Sequence, residues 1–432
     1  MGLCKPLDTD LDTKRGMRAS GTANVRVAVL CRHNLSILEP GDKIHTYEKI
    51  MALARHAEVT LFTPYGYASR KMRLHMRIVH VSSSGLIFVL LLAFALFRHR
   101  KDYDCIYSRD PLLVAFAVPL KAFGKALIIE MNGIPSREAK IQRQTHRMRF
   151  PQLTPVICAA IWLTEAFAIR SADLVFPVTE KMRRYILNEY RADAERAIVI
   201  PNSVDTTVFR PLENKRTEIR HQLGIERGIV VLYLSTFSAR WRGSDQLFQV
   251  AYDIQRKRRD IVFLVVGFGP LLAEIRSKVT EHGIQNQMLF VGAVDHWQIP
   301  FYFSAADFYV YDATPTGYEL VGVHGPCPTK ILESMSCCRP VIAPNEVEIQ
   351  DMMRKSNGGF CASSLREMEY LIERFADSPE LARSMGMSAR RYVEANYDLT
   401  CLTELSVKLM SKVVHRWNLE MDNDTCEGIT VT

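Results

Sequence analysis

The sequence predicts an α/β protein made of two Rossmann-like domains that face a central cleft. Short β-branched runs alternate with amphipathic segments along most of the 432 residues, which is typical of parallel sheets covered by helices. The alternation runs through residues 25–205 and starts again near residue 228, and the length suits two domains. Ligands of such sheets bind beyond the carboxyl ends of the strands, so we expect a ligand in the cleft.

The predicted elements follow from short apolar runs and their flanking turns. In the first half we expect a helix at 42–56, an apolar helix at 86–97, and strands at 25–31, 59–64, 104–109, 126–133, 173–179 and 197–203. In the second half we expect strands at 228–235, 260–270, 288–294, 307–313 and 340–345. We predict a first domain at 25–205, a second at 206–395, a helix at 396–416, a disordered lead at 1–24 and a disordered tail at 417–432.

Charge and cysteine usage narrow the class of protein. The formal net charge of +8 indicates an anionic partner, which charge alone does not identify as a phosphate ligand, a membrane surface or a nucleic acid. The ten cysteines form no C-x-x-C pair, so they indicate neither a zinc site nor a disulfide framework and favour a cytoplasmic location. The first 24 residues have no apolar core of the kind found in secretory signals.

Two segments raise the question of membrane contact. The apolar run "LIFVLLLAFALF" is too short to cross a bilayer and is followed by "RHRK". It predicts either a buried helix that covers a sheet, which is usual for this length, or a helix that dips one face into a leaflet with Arg98, Arg100 and Lys101 on the headgroups. The basic run 140–149 is either a solvated face or a contact for an anionic lipid. Because it lacks interleaved aromatic residues, we do not expect nucleic-acid binding.

Six segments in sequence order carry a resemblance to a known family. They are "VIPNSVDTTVFRP" (199–211), "FSARWRGSDQL" (237–247), "VVGFGP" (265–270), "FVGAV" (290–294), "SAADFYVYD" (304–312) and "CPTKILESMSCCRPVIA" (327–343). Together they resemble the retaining GT-B glycosyltransferases of family four, also called glycosyl transferases group 1, in the subgroup with a Ser-Pro-x-Lys segment. The similarity covers roughly residues 25–413.

The resemblance implies a hexosyltransferase that moves a sugar from a nucleotide-diphosphate sugar to a glycan or lipid-linked acceptor with retention of configuration. It implies that the first domain binds the acceptor, that the second binds the nucleotide sugar, and that the C-terminal helix crosses back onto the first. We expect no cofactor besides the donor. We also expect no metal, because no Asp-x-Asp segment outside the two termini is placed like a diphosphate metal site. The location would be cytoplasmic, with peripheral membrane contact through 86–101 and 140–149.

The segment "CPTKILESM" predicts the start of a helix that binds an anion. Pro328 suits the first helical position with Cys327 as its cap, and the free N–H groups beyond them, beginning near Thr329, would face a diphosphate. Lys330 would add positive charge there. Glu333 lies about 4.5 Å further along the axis, and the resemblance assigns it to the ribose hydroxyls. The plain alternative is a surface Lys–Glu pair one turn apart.

Other donor-side candidates come from the loops. In many members another glutamate lies eight residues before the Glu333 position, and here that place is Gly325. Glu319 and His324, in the preceding loop, are candidates for sugar contact.

The phosphate loop of the family corresponds to "FSARWRGSD", in which Arg242 precedes Gly243. Glycine there would let the backbone approach a ligand. A second basic residue is usual where this chain has Phe237, and Arg240 is the candidate to replace it. The alternative is that both arginines are solvated loop residues.

The acceptor side is less specific. Gly41 resembles the family's glycine-containing loop, which approaches the donor phosphate. Asn132 and Gly133 stand where many members carry a catalytic histidine segment, so the proton acceptor is open and the departing phosphate is one candidate. Arg109 and His45 are further candidates, each with a structural alternative, and Glu130 is as consistent with a buried ion pair as with catalysis.

Three other functions stay open at this point. A nucleotide-sugar epimerase would share the fold but would need buried carboxylates to abstract a proton. An oxidoreductase rests on "VGFGP", which lacks the third glycine of the dinucleotide fingerprint and follows a late strand. A non-catalytic GT-B scaffold would explain why Gly325, Phe237 and Asn132 stand where other residues are usual in the family.

Overall fold

A computed structural model describes residues 25–36, 41–82, 86–144, 154–225, 227–237, 244–311 and 328–427. These residues form two compact units. The N-terminal unit holds the described residues up to Pro201 together with those from Thr400 onward, and the C-terminal unit holds those from Asn202 to Leu399. The predicted lead, 1–24, lies outside the described residues.

The N-terminal unit is built on a six-stranded sheet whose paired strands are all parallel. Its strands are β1 (Arg26–Leu30), β2 (Glu58–Thr63), β3 (Arg77–His80), β4 (Cys105–Ser108), β5 (Ala126–Met131) and β6 (Leu174–Pro177). They lie in the order β3-β2-β1-β4-β5-β6, with Val27 aligned to Val59 on one side and to Cys105 on the other. Nearly continuous apolar strands of this kind are buried on both faces.

Helices cover both faces of this sheet. They are α1 (Gly41–His56), α2 (Leu86–Arg98), α3 (Pro111–Ala115), α4 (Pro135–Gln144), α5 (Thr154–Ser171) and α6 (Glu180–Glu189), with 3₁₀ turns at Met72–Leu74 and Val118–Phe123. One apolar cluster joins one face of the sheet to α2, α3, α5 and α6, and a second joins the other face to α1 and the C-terminal helix.

The C-terminal unit repeats this architecture. Its strands are β7 (Ile229–Ser235), β8 (Ile261–Gly267), β9 (Met288–Gly292), β10 (Phe308–Val310), β11 (Val341–Pro344) and β12 (Gly359–Ala362), in the order β12-β11-β10-β7-β8-β9. Its helices are α7 (Glu213–Gln222), α8 (Ser244–Gln255), α9 (Leu272–Glu281), α10 (Ile299–Ala305), α11 (Thr329–Ser336), α12 (Val347–Ser356), α13 (Leu365–Asp377) and α14 (Pro379–Asn396). A 3₁₀ turn, His296–Gln298, precedes α10.

Both sheets therefore have the same strand order, 3-2-1-4-5-6, counted within each unit. In this order the chain changes direction across the sheet between the first and fourth strands, which are β1 and β4 in one unit and β7 and β10 in the other. Ligands of doubly wound sheets bind at the carboxyl ends of those two strands. The two parallel sheets confirm the predicted α/β class with two Rossmann-like domains.

The last helix, α15, spans Leu399–Glu427. Val407, Met410 and Val413 on this helix pack into the apolar cluster of the N-terminal unit. The predicted tail began at residue 417, but residues 417–427 are helical and only 428–432 lie outside the described residues.

Three local predictions differ from the structure. Residues 197–203 form no strand and contribute one isolated bridge, between Ala197 and Val175. The strands β3 and β12, each at the edge of its own sheet, were not predicted. The helix α2 buries Phe88, Leu92 and Leu96 but exposes its other apolar face, so it is not the fully buried helix that the run favoured. Within the described residues, no helix combines the length and apolar character that crossing a membrane requires.

Candidate active site

A polar cavity of about 160 Å³ opens at the strand crossover of the C-terminal unit. Its walls come from the end of β7, from Tyr311 after β10, and from the first residues of α11; they are Tyr233, Leu234, Ser235, Tyr311, Pro328, Thr329 and Lys330. The sequence motif at 328–330 is therefore placed where the strand order predicts a ligand.

Pro328 fixes the start of α11. It does so as the capping residue, whereas the sequence predicted it as the first helical residue. Pro328 is the capping residue, with φ −74° and ψ 117°, and Thr329 is the first helical residue. The Pro328 carbonyl accepts the Ile331 N–H at 3.0 Å. Proline fixes φ near this value in either position, so the sequence signal was correct and the register was wrong by one. Cys327, the predicted cap, lies outside the described residues.

Lys330 lies beside the end of β7. Its ammonium donates a hydrogen bond to the Leu234 carbonyl at 3.3 Å, which holds the side chain at the cavity wall. The first N–H groups of a helix have no carbonyl partner within it. Together with Lys330 they make one wall of the cavity electropositive.

Glu333 is not a surface residue. Only 4 % of it is exposed, and its Oε1 lies 3.2 Å from Nε2 of His296. The His296 ring packs against Phe209 with 5.2 Å between ring centres. These contacts exclude the plain alternative of a solvated Lys–Glu pair for Glu333, because a buried carboxylate requires polar partners.

His296 is a site residue that sequence reasoning missed. It belongs to the 3₁₀ turn after β9, where Asp295 and Gln298 cap each other's backbone. The segment carries no motif for it, and Glu333 lies 37 positions further along the chain, which gives no periodic signal.

The glycines of "VVGFGP" are explained by backbone packing. Gly267 has φ +139°, and a Cβ there would lie 1.8 Å from the Ser235 carbonyl oxygen. Gly269 has φ +145°, and a Cβ at Gly269 would lie 2.1 Å from the Thr236 carbonyl oxygen. Both glycines therefore let the β8 loop touch the end of β7. This packing role removes the basis of the oxidoreductase alternative.

Phe237 marks a change of backbone direction after β7. Its φ of +41° is unusual for a bulky residue, and its side chain is fully buried beside Tyr233, with 6.0 Å between ring centres. Left-handed conformations at such residues persist only where the surroundings enforce them. Phe237 is thus a packing residue, and it is the first residue of the predicted phosphate loop.

In the N-terminal unit, Glu130 is the centre of a buried charge cluster. Tyr107 donates its hydroxyl to Oε2 at 2.6 Å, and Asn132 donates Nδ2–H to Oε1 at 2.9 Å. Arg109 Nε lies 2.9 Å from Oε1, and Lys49 Nζ lies 3.8 Å from Oε2. The carboxylate is thereby surrounded by donors, which favours the structural interpretation of Glu130 over catalysis.

The cluster shifts the pKa values of its members. Burial alone would raise the pKa of Glu130, but Lys49 and Arg109 hold that pKa below its ordinary value. Burial lowers the pKa of Lys49, although Glu130 opposes the shift. Burial and the Glu130 charge raise the pKa of Tyr107 well above its ordinary value.

The strand crossover of the N-terminal unit is nearly filled. The cavity between the ends of β1 and β4 holds about 20 Å³, which is room for about one water molecule. Two pairs of side chains occupy this edge. Arg32 forms an ion pair with Asp110 at 2.6 Å, and Arg109 donates a hydrogen bond to Thr46 at 2.8 Å.

The remaining acceptor-side candidates are dispersed. His45 lies 3.4 Å from Glu48 on the same helix and does not line the cavity. Gly41 is the first residue of α1, and Gly133 follows Asn132 after β5. Of the predicted acceptor residues, only Arg109 and Asn132 are brought together, and both bind Glu130.

Several predicted site residues lie outside the described residues, as do residues 145–149 of the basic run 140–149. These site residues are Arg240, Arg242, Gly243, Glu319, His324, Gly325 and Cys327. Among the residues that the structure does describe, no group of three or more histidine, cysteine or carboxylate side chains is arranged to hold a metal ion.

Family models match both halves of the chain. Residues 41–208 match Glycosyltransferase Family 4, and residues 215–392 match Glycosyl transferases group 1. Among curated proteins, alpha-D-kanosaminyltransferase of Streptomyces kanamyceticus is 26 % identical over 65 % of this chain and 71 % of that protein. A GDP-mannose-dependent phosphatidylinositol monomannoside mannosyltransferase of Mycolicibacterium smegmatis is 23 % identical over 46 % of this chain and 52 % of its own length.

Solved structures share the fold. Anabaena HepE in complex with UDP is 18 % identical, with a TM-score of 0.69 over 90 % of this chain and 100 % of that one. Sucrose-phosphate synthase of Thermosynechococcus elongatus is 19 % identical, with a TM-score of 0.69 over 91 % of this chain and 100 % of its own. The two family models, which together match most of the chain, show that it belongs to the group 1 glycosyltransferases, enzymes of the hexosyltransferase type. The solved structures show the two-domain GT-B fold.

Proposed function

We propose that this protein transfers a hexosyl group from a nucleoside-diphosphate sugar to a glycan or lipid-linked acceptor, with retention of configuration and without a metal ion. The observation that carries the proposal is the cavity of about 160 Å³ at the β7/β10 crossover, lined by the start of α11 and by Lys330. An electropositive helix start at this place is suited to a diphosphate.

The chemistry needed is departure of the nucleoside diphosphate from the anomeric carbon. The bond from that carbon to the phosphate oxygen breaks, and negative charge develops on the leaving oxygen. The start of α11 and the Lys330 ammonium would stabilise this charge, since Thr329 and Lys330 line the cavity. Arg242, from the loop after β7, is proposed to contribute a second cation.

Glu333 is proposed to bind the ribose of the donor. Its carboxylate is buried one turn beyond Lys330, which suits hydroxyl groups adjacent to a bound diphosphate. His296, 3.2 Å away, would hold the carboxylate in one orientation before the donor arrives. Fixed orientation of this kind lowers the cost of binding.

The acceptor hydroxyl must lose its proton as its oxygen bonds to the anomeric carbon. Asn132 cannot act as a base, and Glu130 already accepts from Tyr107 and Asn132 and pairs with two cations. This arrangement supports transfer of the proton to the departing phosphate oxygen. Retention then requires attack on the face that the phosphate leaves.

Relatives support the range of donors and acceptors proposed. By their names, one relative is a GDP-mannose-dependent mannosyltransferase that acts on a phosphatidylinositol monomannoside, and another is a 2-deoxystreptamine glucosyltransferase. A structural neighbour was solved with UDP-glucose. The chain spans about half the length of the mannosyltransferase.

The test is calorimetry of the full chain with UDP-, GDP- and ADP-sugars, followed by NMR of the anomeric proton in the product. Replacing Lys330 with glutamine removes a charged hydrogen bond worth about 1.5–3 kcal/mol, so nucleotide affinity should fall about 10- to 150-fold. Lys412→Gln, on the exposed side of α15, is the matched control and should bind like wild type. If the wild type binds none of the three nucleotide sugars, the proposal is wrong.

A further inference from the structure

The N-terminal unit exposes an apolar surface that glycosyl transfer does not explain. On α2 the exposed large side chains recur every three or four residues, which places them on one face; they are Ile87, Leu90, Leu91, Phe94 and Phe97. Leu90 is 62 % exposed and Phe94 is 64 % exposed. Isolated exposed leucines are ordinary, but a continuous apolar helix face marks an interaction site.

The surface continues beyond α2. The exposed Phe123 ring contacts Phe97, with 5.3 Å between ring centres. On α5, Val156, Leu163 and Phe167 are exposed at helical spacing. Because α2 and α5 bury their other faces in the same core cluster, they cover the same side of the sheet. We call the exposed apolar residues of α2, α5 and Phe123 the outer apolar surface.

Its exposed charges are mainly positive. Asp102, which follows Lys101, is 33 % exposed and is already paired with Arg77 at 2.7 Å. The segments 86–98, 111–115, 118–123 and 154–171 contain a single carboxylate, Glu165, which is buried and accepts a hydrogen bond from Tyr190. Arg98 and Lys101 are exposed at the end of α2. Arg100, beside them, lies over the Phe97 ring at 4.3 Å, so cation and apolar surface are continuous.

We propose that the outer apolar surface docks this protein on the surface of an anionic lipid bilayer. Exposed apolar side chains would enter the boundary between headgroups and acyl chains, and Arg98, Arg100 and Lys101 would bind the anionic headgroups. The exposed face of α2 runs about 15 Å from Ile87 to Phe97, which suits a helix lying on a bilayer and is too short to span one.

A second copy of this chain fits the surface less well. A two-fold interface repeats the same patch on both partners. It would bring two sets of Arg98, Arg100 and Lys101 together, while the adjacent carboxylate, Asp102, is already paired with Arg77 at 2.7 Å. An anionic lipid surface supplies the missing charge.

Flotation of the full chain with vesicles tests the proposal. Vesicles of phosphatidylcholine containing phosphatidylglycerol should carry the wild type, and vesicles of phosphatidylcholine alone should carry much less. The Leu90→Gln/Phe94→Gln variant should lose binding at least about tenfold, because both side chains are exposed in the folded protein and would enter the lipid. The Arg98→Gln/Lys101→Gln variant should lose about 25-fold, at about fivefold for each cation, and wild-type binding should weaken with salt.

The matched control is Leu74→Gln/Val347→Gln, which removes two large apolar side chains that are 79 % and 74 % exposed and lie outside this surface. It should float like wild type. Glu333→Gln should also float, so failure of glycosyl transfer and failure of docking are separate outcomes. The proposal is overturned if the wild type does not float, or if Leu90→Gln/Phe94→Gln floats unchanged. A third result would also overturn it: the wild type binds no vesicles and sediments as a dimer, and Leu90→Gln/Phe94→Gln sediments as a monomer.

Discussion

Replacement of Glu130 with glutamine is expected to destabilise the N-terminal unit rather than to remove a catalytic base. The change leaves Arg109 and Lys49 without their counter-charge, and the Lys49 and Glu130 side chains are only 8 % and 6 % exposed. At an effective dielectric of about 20, the attraction lost is about 6 kcal/mol for the 2.9 Å pair with Arg109 and about 4 kcal/mol for the 3.8 Å pair with Lys49. Desolvation offsets much of this, so the expected net loss is about 3–5 kcal/mol.

The matched variant is Lys49→Met, which should cost about 1 kcal/mol or less. Burial already lowers the pKa of Lys49, and Glu130 would keep Arg109, Tyr107 and Asn132 as partners. Lys49→Met should cost less than Glu130→Gln because it removes only the longer ion pair, at 3.8 Å, and leaves the 2.9 Å pair of Glu130 with Arg109.

Peptide-resolved hydrogen exchange measures both variants in the full chain. In Glu130→Gln, exchange in β5 should quicken by about two to four orders of magnitude, with β8 of the other unit as internal reference. The reasoning fails if exchange in β5 is unchanged while glycosyl transfer is lost, since that result would make Glu130 catalytic. It fails equally if Lys49→Met is as damaging as Glu130→Gln.

Further measurements test other parts of the site. The pKa of Glu130 is lowered from 4.5 in the folded protein. The ionised carboxylate therefore stabilises the fold fully above that pH, and this contribution is lost as the pH falls through the lower folded pKa. In denaturant titrations, the difference in unfolding free energy between wild type and Glu130→Gln should become smaller at acid pH. Gly267→Ala should unfold the C-terminal unit at lower denaturant concentration, because its Cβ would lie 1.8 Å from the Ser235 oxygen; unchanged stability would contradict the packing role. His296→Phe should weaken nucleotide binding about tenfold by calorimetry, and equal affinity would exclude its positioning of Glu333. Glycosyl transfer should continue at an unchanged rate in EDTA, and loss of activity would contradict metal independence.

Strong β-branched runs predicted most of the fold, and weak edges were where prediction failed. The strands β3 and β12 are four residues each. β3 has two β-branched residues, Ile78 and Val79, whereas "GFCA" begins with a glycine and has none, so neither run is long enough to predict a strand by itself. The segment 197–203 shows the reverse case, in which β-branched residues occur but Pro201 lacks the N–H that a strand donates. An edge strand depends on its neighbour, which a single run of residues does not reveal.

Local motifs also predicted one part of the site and could not predict another. The placement of Lys330 and Glu333 follows from one helix start, where spacing along the axis determines geometry. His296 reaches Glu333 from the turn after β9, and that contact depends on tertiary packing. Similarly, hydrophobicity alone could not tell which face of α2 is buried, because nearly every residue in the run is apolar.

The two strand crossovers have the same topology and differ in what fills them. In the C-terminal unit the crossover is open, with a cavity of about 160 Å³, whereas in the N-terminal unit it is reduced to about 20 Å³ beside Arg32, Asp110 and Arg109. A nucleoside diphosphate therefore fits the first crossover, whereas at the second it would disturb Arg109, whose partner Glu130 is a buried charge that costs several kcal/mol to leave unpaired. We expect calorimetry to give one nucleotide for each chain, and we expect nucleotide to slow hydrogen exchange at the ends of β7 and β10 but not at the end of β1. Two nucleotides for each chain, or protection at β1 alone, would show that side-chain packing does not decide which crossover binds the donor.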